Sequence, residues 1–92
     1  MSQSPASANE IQGVMNIVSD LIREVSEKAR TRIIQPETLL LEELALDSLD
    51  MVRVIMLIED RHGVSIDLDE VADMKTVGDV ARSLRRESSA AA

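Results

Sequence analysis

Residues 44–63, LALDSLDMVRVIMLIEDRHG, carry two apolar stripes on what reads as a single helix. Asp47 and Ser48 are both good N-cap residues, and Gly63 is well placed as a C-terminal stop, so the segment predicts a helix that opens at Asp47 or Ser48 and closes at His62. At about 100° per residue, Met51, Val54, Ile55, Ile58 and His62 share one narrow sector, the core stripe of an amphipathic helix. Leu49, Val52 and Met56 fall in another sector and need a different neighbour. Arg53, Glu59 and Asp60 flank that second stripe, giving an apolar strip rimmed by charge, a form common to docking surfaces. The other reading is that the preceding segment folds over the strip and makes it ordinary core.

Working outward, the residues after Gly63 predict an extended Val64 and Ile66, then a short helix over 67–74 with Leu68 and Val71 turned inward. Thr76 and Asp79 resemble a capping box with Asp in place of the usual Glu or Gln, and Val77, Val80, Ala81 and Leu84 supply the apolar face of a last helix. Upstream, Ile11, Val14, Met15, Val18, Leu21, Ile22 and Val25 have the spacing of a one-sided helix from Asn9, a plausible N-cap, to about Arg30. Between them the pattern breaks around Pro36. The leucines at 39, 40, 41, 44 and 46 read as a long loop pinned to the core, with a short helical turn. The fold class is therefore all-α: a small bundle of three main helices plus a short one, with a long loop between the first and second. The division expected is a disordered arm over 1–8, the helical domain over 9–86 and a disordered tail over 87–92.

Composition narrows the function. Ninety-two residues make one domain, too small for a large enclosed active site. Hydrophobic residues are 45% of the chain, yet Phe, Tyr and Trp are absent, so the core must be aliphatic. Without aromatic stacking platforms, and with a net charge of −7, nucleic-acid binding is excluded. The absence of cysteine fits a reducing compartment, and no apolar run is long enough to span a bilayer, so a cytoplasmic monomer without membrane insertion is expected. Residues 37–79 hold twelve acids against three bases, a balance of −9, while the remainder holds five acids and seven bases, a balance of +2. Such an acidic middle either keeps a small apolar domain soluble or meets basic partners.

Catalytic chemistry finds no support. A serine nucleophile needs a base within hydrogen-bond reach, and the one histidine, His62, lies fourteen residues along the same helix from Ser48, roughly 20 Å away at ~1.5 Å per residue. Ser48 is then a helix cap or a group that another enzyme modifies. The acidic run DLDEVAD fails the calcium-loop pattern, because Val71 and Ala72 stand at the fifth and sixth positions, where an oxygen ligand and a glycine belong. The three glycines are scattered and form no phosphate loop, and no metal site is expected.

From about Leu39 to Leu84 the sequence resembles the acyl carrier protein family. The likeness rests on Asp47-Ser48-Leu49 at the head of the second helix, Asp50 after it, Gly63 at the helix end, and Thr76-Val77-Gly78-Asp79 opening the last helix. The resemblance implies that Ser48 receives 4'-phosphopantetheine from coenzyme A through a phosphopantetheinyl transferase. It implies a carrier, not an enzyme, tethering acyl intermediates as thioesters and presenting them to acyl-loading and acyl-processing enzymes with basic docking surfaces. By the same likeness Asp47, Leu49, Asp50, Val52, Arg53, Met56, Glu59 and Asp60 would form the partner face, and the second stripe would adjoin a cavity that shelters the acyl chain.

Three positions depart from the family pattern. Ala45 stands where LGxDSL has glycine, Arg53 where fatty-acid carriers usually have an acid, and His62 where they usually have a phenylalanine. These departures point to a specialised stand-alone carrier in a fatty-acid, polyketide or lipid pathway. An aminoacyl or peptidyl carrier is the alternative within the class, disfavoured by Asp47. An unmodified acidic interaction module, with Ser48 a cap, is the alternative outside it.

Overall fold

The second helix forms as its capping residues dictate. In the computed structural model, which describes the backbone of residues 5–91 and the side chains of residues 12–87, helix α2 spans Ser48–His62. Asp47 is the N-cap: its Oδ1 accepts from the Asp50 N–H at 2.9 Å, and Asp50 Oδ2 accepts from the Asp47 N–H at 3.3 Å. Gly63 ends the helix in the left-handed conformation, φ +63°, with its N–H donated to the Glu59 carbonyl. Met51, Val54, Ile55 and Ile58 are buried as their spacing requires. His62 is not; it lies exposed at the last turn, where the stripe has already run past the core.

Helix α1 spans Pro5–Val25 and packs against α2 and against α4, which spans Val77–Ala91. Both helices exceed the limits set by the sequence. Proline suits the first helical position, so α1 begins at Pro5 and Asn9 lies inside it; residues 1–4 of the expected arm and the Ile11 side chain lie outside the described residues. Alanine-rich sequence carries α4 through residue 91 of the expected tail. At its other end α1 stops at Val25, short of Arg30. Buried Ser26 turns its hydroxyl to the Leu44 carbonyl at 3.0 Å and accepts from the Ala29 N–H, and a single 3₁₀ turn follows over Lys28–Thr31.

Residues 32–47 form the long loop, and leucines pin it. Leu40, Leu44 and Leu46 are buried, each contributing roughly 1.5–3 kcal/mol against the entropy of ordering the segment. One helical turn closes through Glu43 N–H to the Leu39 carbonyl and Ala45 N–H to the Leu41 carbonyl. The loop is also stitched to the start of α4: Leu40 N–H donates to the Lys75 carbonyl, Val77 N–H to the Thr38 carbonyl, and Gly78 N–H to the Pro36 carbonyl at 2.8 Å. A Cβ at Gly78 would sit 2.8 Å from that same Pro36 oxygen, so only glycine lets the two backbones meet.

Buried Val64 and Ile66 lead to the short helix α3, Leu68–Asp73, capped by Asp67. Val71 is half-buried as expected, but Leu68 is 62% exposed. As the first residue of a helix of six, it points away from the bundle while Val71 and Met74 pack on the core. Glu70 ties α3 to α4, accepting from Ser83 Oγ at 3.3 Å and pairing with Arg86. At the head of α4 the Thr76–Asp79 capping box is complete: Thr76 Oγ1 accepts from the Asp79 N–H, and Asp79 Oδ2 accepts from the Thr76 and Lys75 N–H groups. Partial burial pushes the Asp79 carboxyl up, but these bonds and that from Arg82 outweigh it and hold it below the usual carboxylate range.

Candidate functional site

Because Asp47 takes the capping role, Ser48 becomes the first residue of α2 and its hydroxyl is left over. The side chain is exposed, and among the described residues its Oγ has no hydrogen-bond partner. The amides of the first turn and the helix dipole surround it with partial positive charge, which favours an anionic substituent there.

Ser48 stands at the edge of an open cleft of about 530 Å³ between the loop, α2 and the α3 region. Its apolar lining comes from Leu40 and Leu46 of the loop, Met51 and Val52 of α2, and Val71 and Met74 on the far side. Leu41 and Leu68, 60% and 62% exposed, stand at its rim, and Glu42, Asp47 and Lys75 bring charge to it. The sequence had read Leu41 as a pin and Leu68 as core; neither is, because the helical turn before α2 and the shortness of α3 rotate both outward.

The second stripe of α2 stays open. Leu49 and Met56 are 62% and 61% exposed and Val52 is half-buried at the cleft, so the loop does not fold over the strip. The charges around it differ in how free they are. Asp47 and Asp50 spend oxygens on the capping box, and Glu59 Oε2 accepts from the Ile66 N–H at 2.9 Å, holding the extended segment after the helix. Arg53 and Asp60 are exposed and, among the described residues, form no ion pair or side-chain hydrogen bond. Arg61 turns the other way, forming a two-pronged ion pair with Glu24 of α1 at 2.5 and 2.8 Å.

Residues 13–84 match the protein-family model described as the phosphopantetheine attachment site. The chain is 39% identical over 66 residues to an acyl carrier protein of Acidothermus cellulolyticus, covering 72% of this chain and 77% of that one. The chain belongs to the acyl carrier protein family. An acyl carrier protein of Rickettsia massiliae is 35% identical over 72 residues, 78% of this chain and 83% of the relative. A meromycolate extension acyl carrier protein of Mycobacterium leprae is also 35% identical, over 69 residues; the match covers 75% of this chain and 59% of that longer relative. The group that this carrier family holds covalently is phosphopantetheine, and the residues present fit it. An unbonded, exposed hydroxyl lies at a helix N-terminus, beside an apolar cleft open to solvent. No helix among the described residues is long and apolar enough to cross a membrane.

Proposed function

We propose that Ser48 is the residue that carries 4'-phosphopantetheine, and that the chain is a non-catalytic carrier of acyl intermediates in a specialised pathway. The observation that supports this most is the division of labour at the head of α2, where Asp47 caps the helix and leaves the Ser48 hydroxyl exposed and unbonded. When bound, the group supplies a thiol on which acyl units ride as thioesters.

The chain's own residues do the rest. Ser48 offers its hydroxyl to a phosphopantetheinyl transferase, and the capping box fixes the backbone that presents it. The cleft lined by Leu40, Leu46, Met51 and Val71 gives an apolar chain a surface to lie against, removing part of it from water. Leu49, Val52 and Met56 form the apolar strip that partner enzymes touch, with Asp47, Asp50, Arg53, Glu59 and Asp60 around it. Charge speeds encounter with basic partner surfaces, while a small apolar strip keeps residence short, as a carrier visiting several enzymes requires. Tethering raises the cargo's local concentration at each active site. Arg53 favours enzymes other than those of housekeeping fatty-acid synthesis, and the likeness to a meromycolate extension acyl carrier protein supports specialised lipid synthesis. The absence of cysteine fits work in a reducing compartment such as the cytoplasm.

Incubation with coenzyme A and a broad-specificity phosphopantetheinyl transferase, followed by intact mass, tests the assignment. The wild-type chain gains one phosphopantetheine and Ser48→Ala gains none. An unchanged wild-type mass, or a mass gain retained in Ser48→Ala, refutes it.

A further inference from the structure

Lys75 lines the same cleft as Ser48, reaching it from the connection between α3 and α4. Its main chain is fixed on both sides: the N–H donates to Asp79 Oδ2 at 2.8 Å, and the carbonyl accepts from the Leu40 N–H at 2.9 Å. Its side chain is exposed and, among the described residues, has no hydrogen bond or ion pair. The other charged residues lining the cleft, Glu42 and Asp47, are both acids, so Lys75 is its one cation among the described residues. Lys75 and Ser48 border one open cleft of about 530 Å³, so the Lys75 ammonium on its flexible stem and a charge carried on Ser48 face the same space.

A lone exposed lysine is ordinarily a solvated surface charge. Here the chemistry of the site asks for more. A phosphodiester on Ser48 adds a negative charge beside Asp47 and Asp50, and the capping box prevents either carboxylate from swinging away. Glu42 adds a third acid to the same surroundings. The counter-charge available across the cleft is the Lys75 ammonium, a compact charge on a flexible stem.

We propose that Lys75 is an electrostatic clasp for the phosphodiester carried on Ser48, drawing the arm across the mouth of the cleft. The proposal rests on Ser48 being the attachment residue. It assigns to Lys75 a positioning role that the neighbouring acids cannot fill.

The test compares apo and phosphopantetheine-loaded protein, each as wild type, Lys75→Gln and Lys75→Arg, with intact mass verifying loading. Because the side chain has no partner among the described residues before loading, Lys75→Gln leaves the apo melting temperature unchanged. On loading, wild type gains about 1–5 °C more than Lys75→Gln at low salt, the shift expected of an exposed charge pair in a domain of this size. Lys75→Arg keeps the gain, and about 1 M salt, where the Debye length falls to ~3 Å, removes it. The ³¹P resonance of the loaded protein moves in Lys75→Gln relative to wild type. Full loading with equal thermal increments and an unmoved ³¹P resonance overturns the clasp and leaves the assignment of Ser48 standing. Failure of loading overturns both.

Discussion

Replacing Ala45 with glycine should make this protein more stable. Ala45 has φ +56° and is the one non-glycine residue at positive φ among the described residues. It stands between buried Leu44 and Leu46, and its N–H closes the helical turn on the Leu41 carbonyl at 3.0 Å. The left-handed step reverses the chain just enough for both leucines to point into the core before α2 begins. An L-residue with a Cβ meets its following carbonyl there, at a cost of roughly 1–2 kcal/mol. Glycine removes that clash but brings a more disordered unfolded chain, worth about 0.4–1 kcal/mol in the other direction. The Ala45 methyl is exposed, so little burial is lost with it. The net gain is roughly 0.5–1 kcal/mol, or about 2–8 °C in melting temperature for a domain of this size. Far-ultraviolet circular dichroism is the assay, since the chain has no aromatic residue to report by fluorescence. Ala45→Val, β-branched at a left-handed position, should melt below wild type. A glycine variant that melts at or below wild type would refute the strain argument and place the stability of the turn elsewhere.

Gly78→Ala should lose roughly 1–3 kcal/mol in denaturant unfolding, because its Cβ would lie 2.8 Å from the Pro36 carbonyl oxygen and neither backbone can yield without breaking the bond between them; an unchanged midpoint would count against the close approach. Asp79 has a depressed folded pKa, so the stability it contributes is whole above the ordinary carboxylate pKa of about 4 and is lost as pH falls through the lower folded value. Asp79→Asn should therefore melt below wild type at neutral pH, with the gap closing in acid melts; a gap of constant size across that window contradicts the assignment. Arg53→Glu should improve loading by housekeeping fatty-acid enzymes, measured as acyl-carrier product by mass, and no improvement would remove Arg53 as the determinant of partner choice.

The helices were legible wherever a cap and a stripe agreed. Asp47, Gly63 and the Thr76–Asp79 pair placed both ends of α2 and the head of α4, since each is a local backbone contact made by neighbouring residues. The outer limits were less legible, because Pro5 and the alanine-rich end permit helix without any apolar stripe to reveal it. Leu68 failed, and His62 lies exposed at the end of its stripe, for a related reason: periodicity says which face a residue shares but not where the core ends along the axis. The cleft was foreseen only through the family resemblance, as a cavity beside the second stripe, and its lining could not be read. Leu40, Met51 and Val71 come from three separate elements, and no spacing in the chain brings them together. Ala45 carried a usable signal, a residue where the resembling family has glycine, but its meaning required the positive φ.

One position along a helix start decides whether a serine hydroxyl is tied to the backbone or left free. Had Ser48 been the N-cap, its oxygen would accept a first-turn N–H and be drawn against the backbone. Asp47 takes that role, and Asp50, three residues on, returns the bond to the Asp47 N–H, so the helix start is closed without Ser48. The consequence reaches past the cap. Ser48 at the first helical position puts its side chain on the sector shared with Val52 and Glu59, between the open strip of Leu49 and Met56 and the core stripe of Met51 and Ile55. A substituent there borders the cleft on one side and the exposed Leu49 and Met56 on the other. On the proposed assignment of Ser48, the same register that buries four residues of α2 in the bundle would let cargo turn inward to the cleft or outward to a partner.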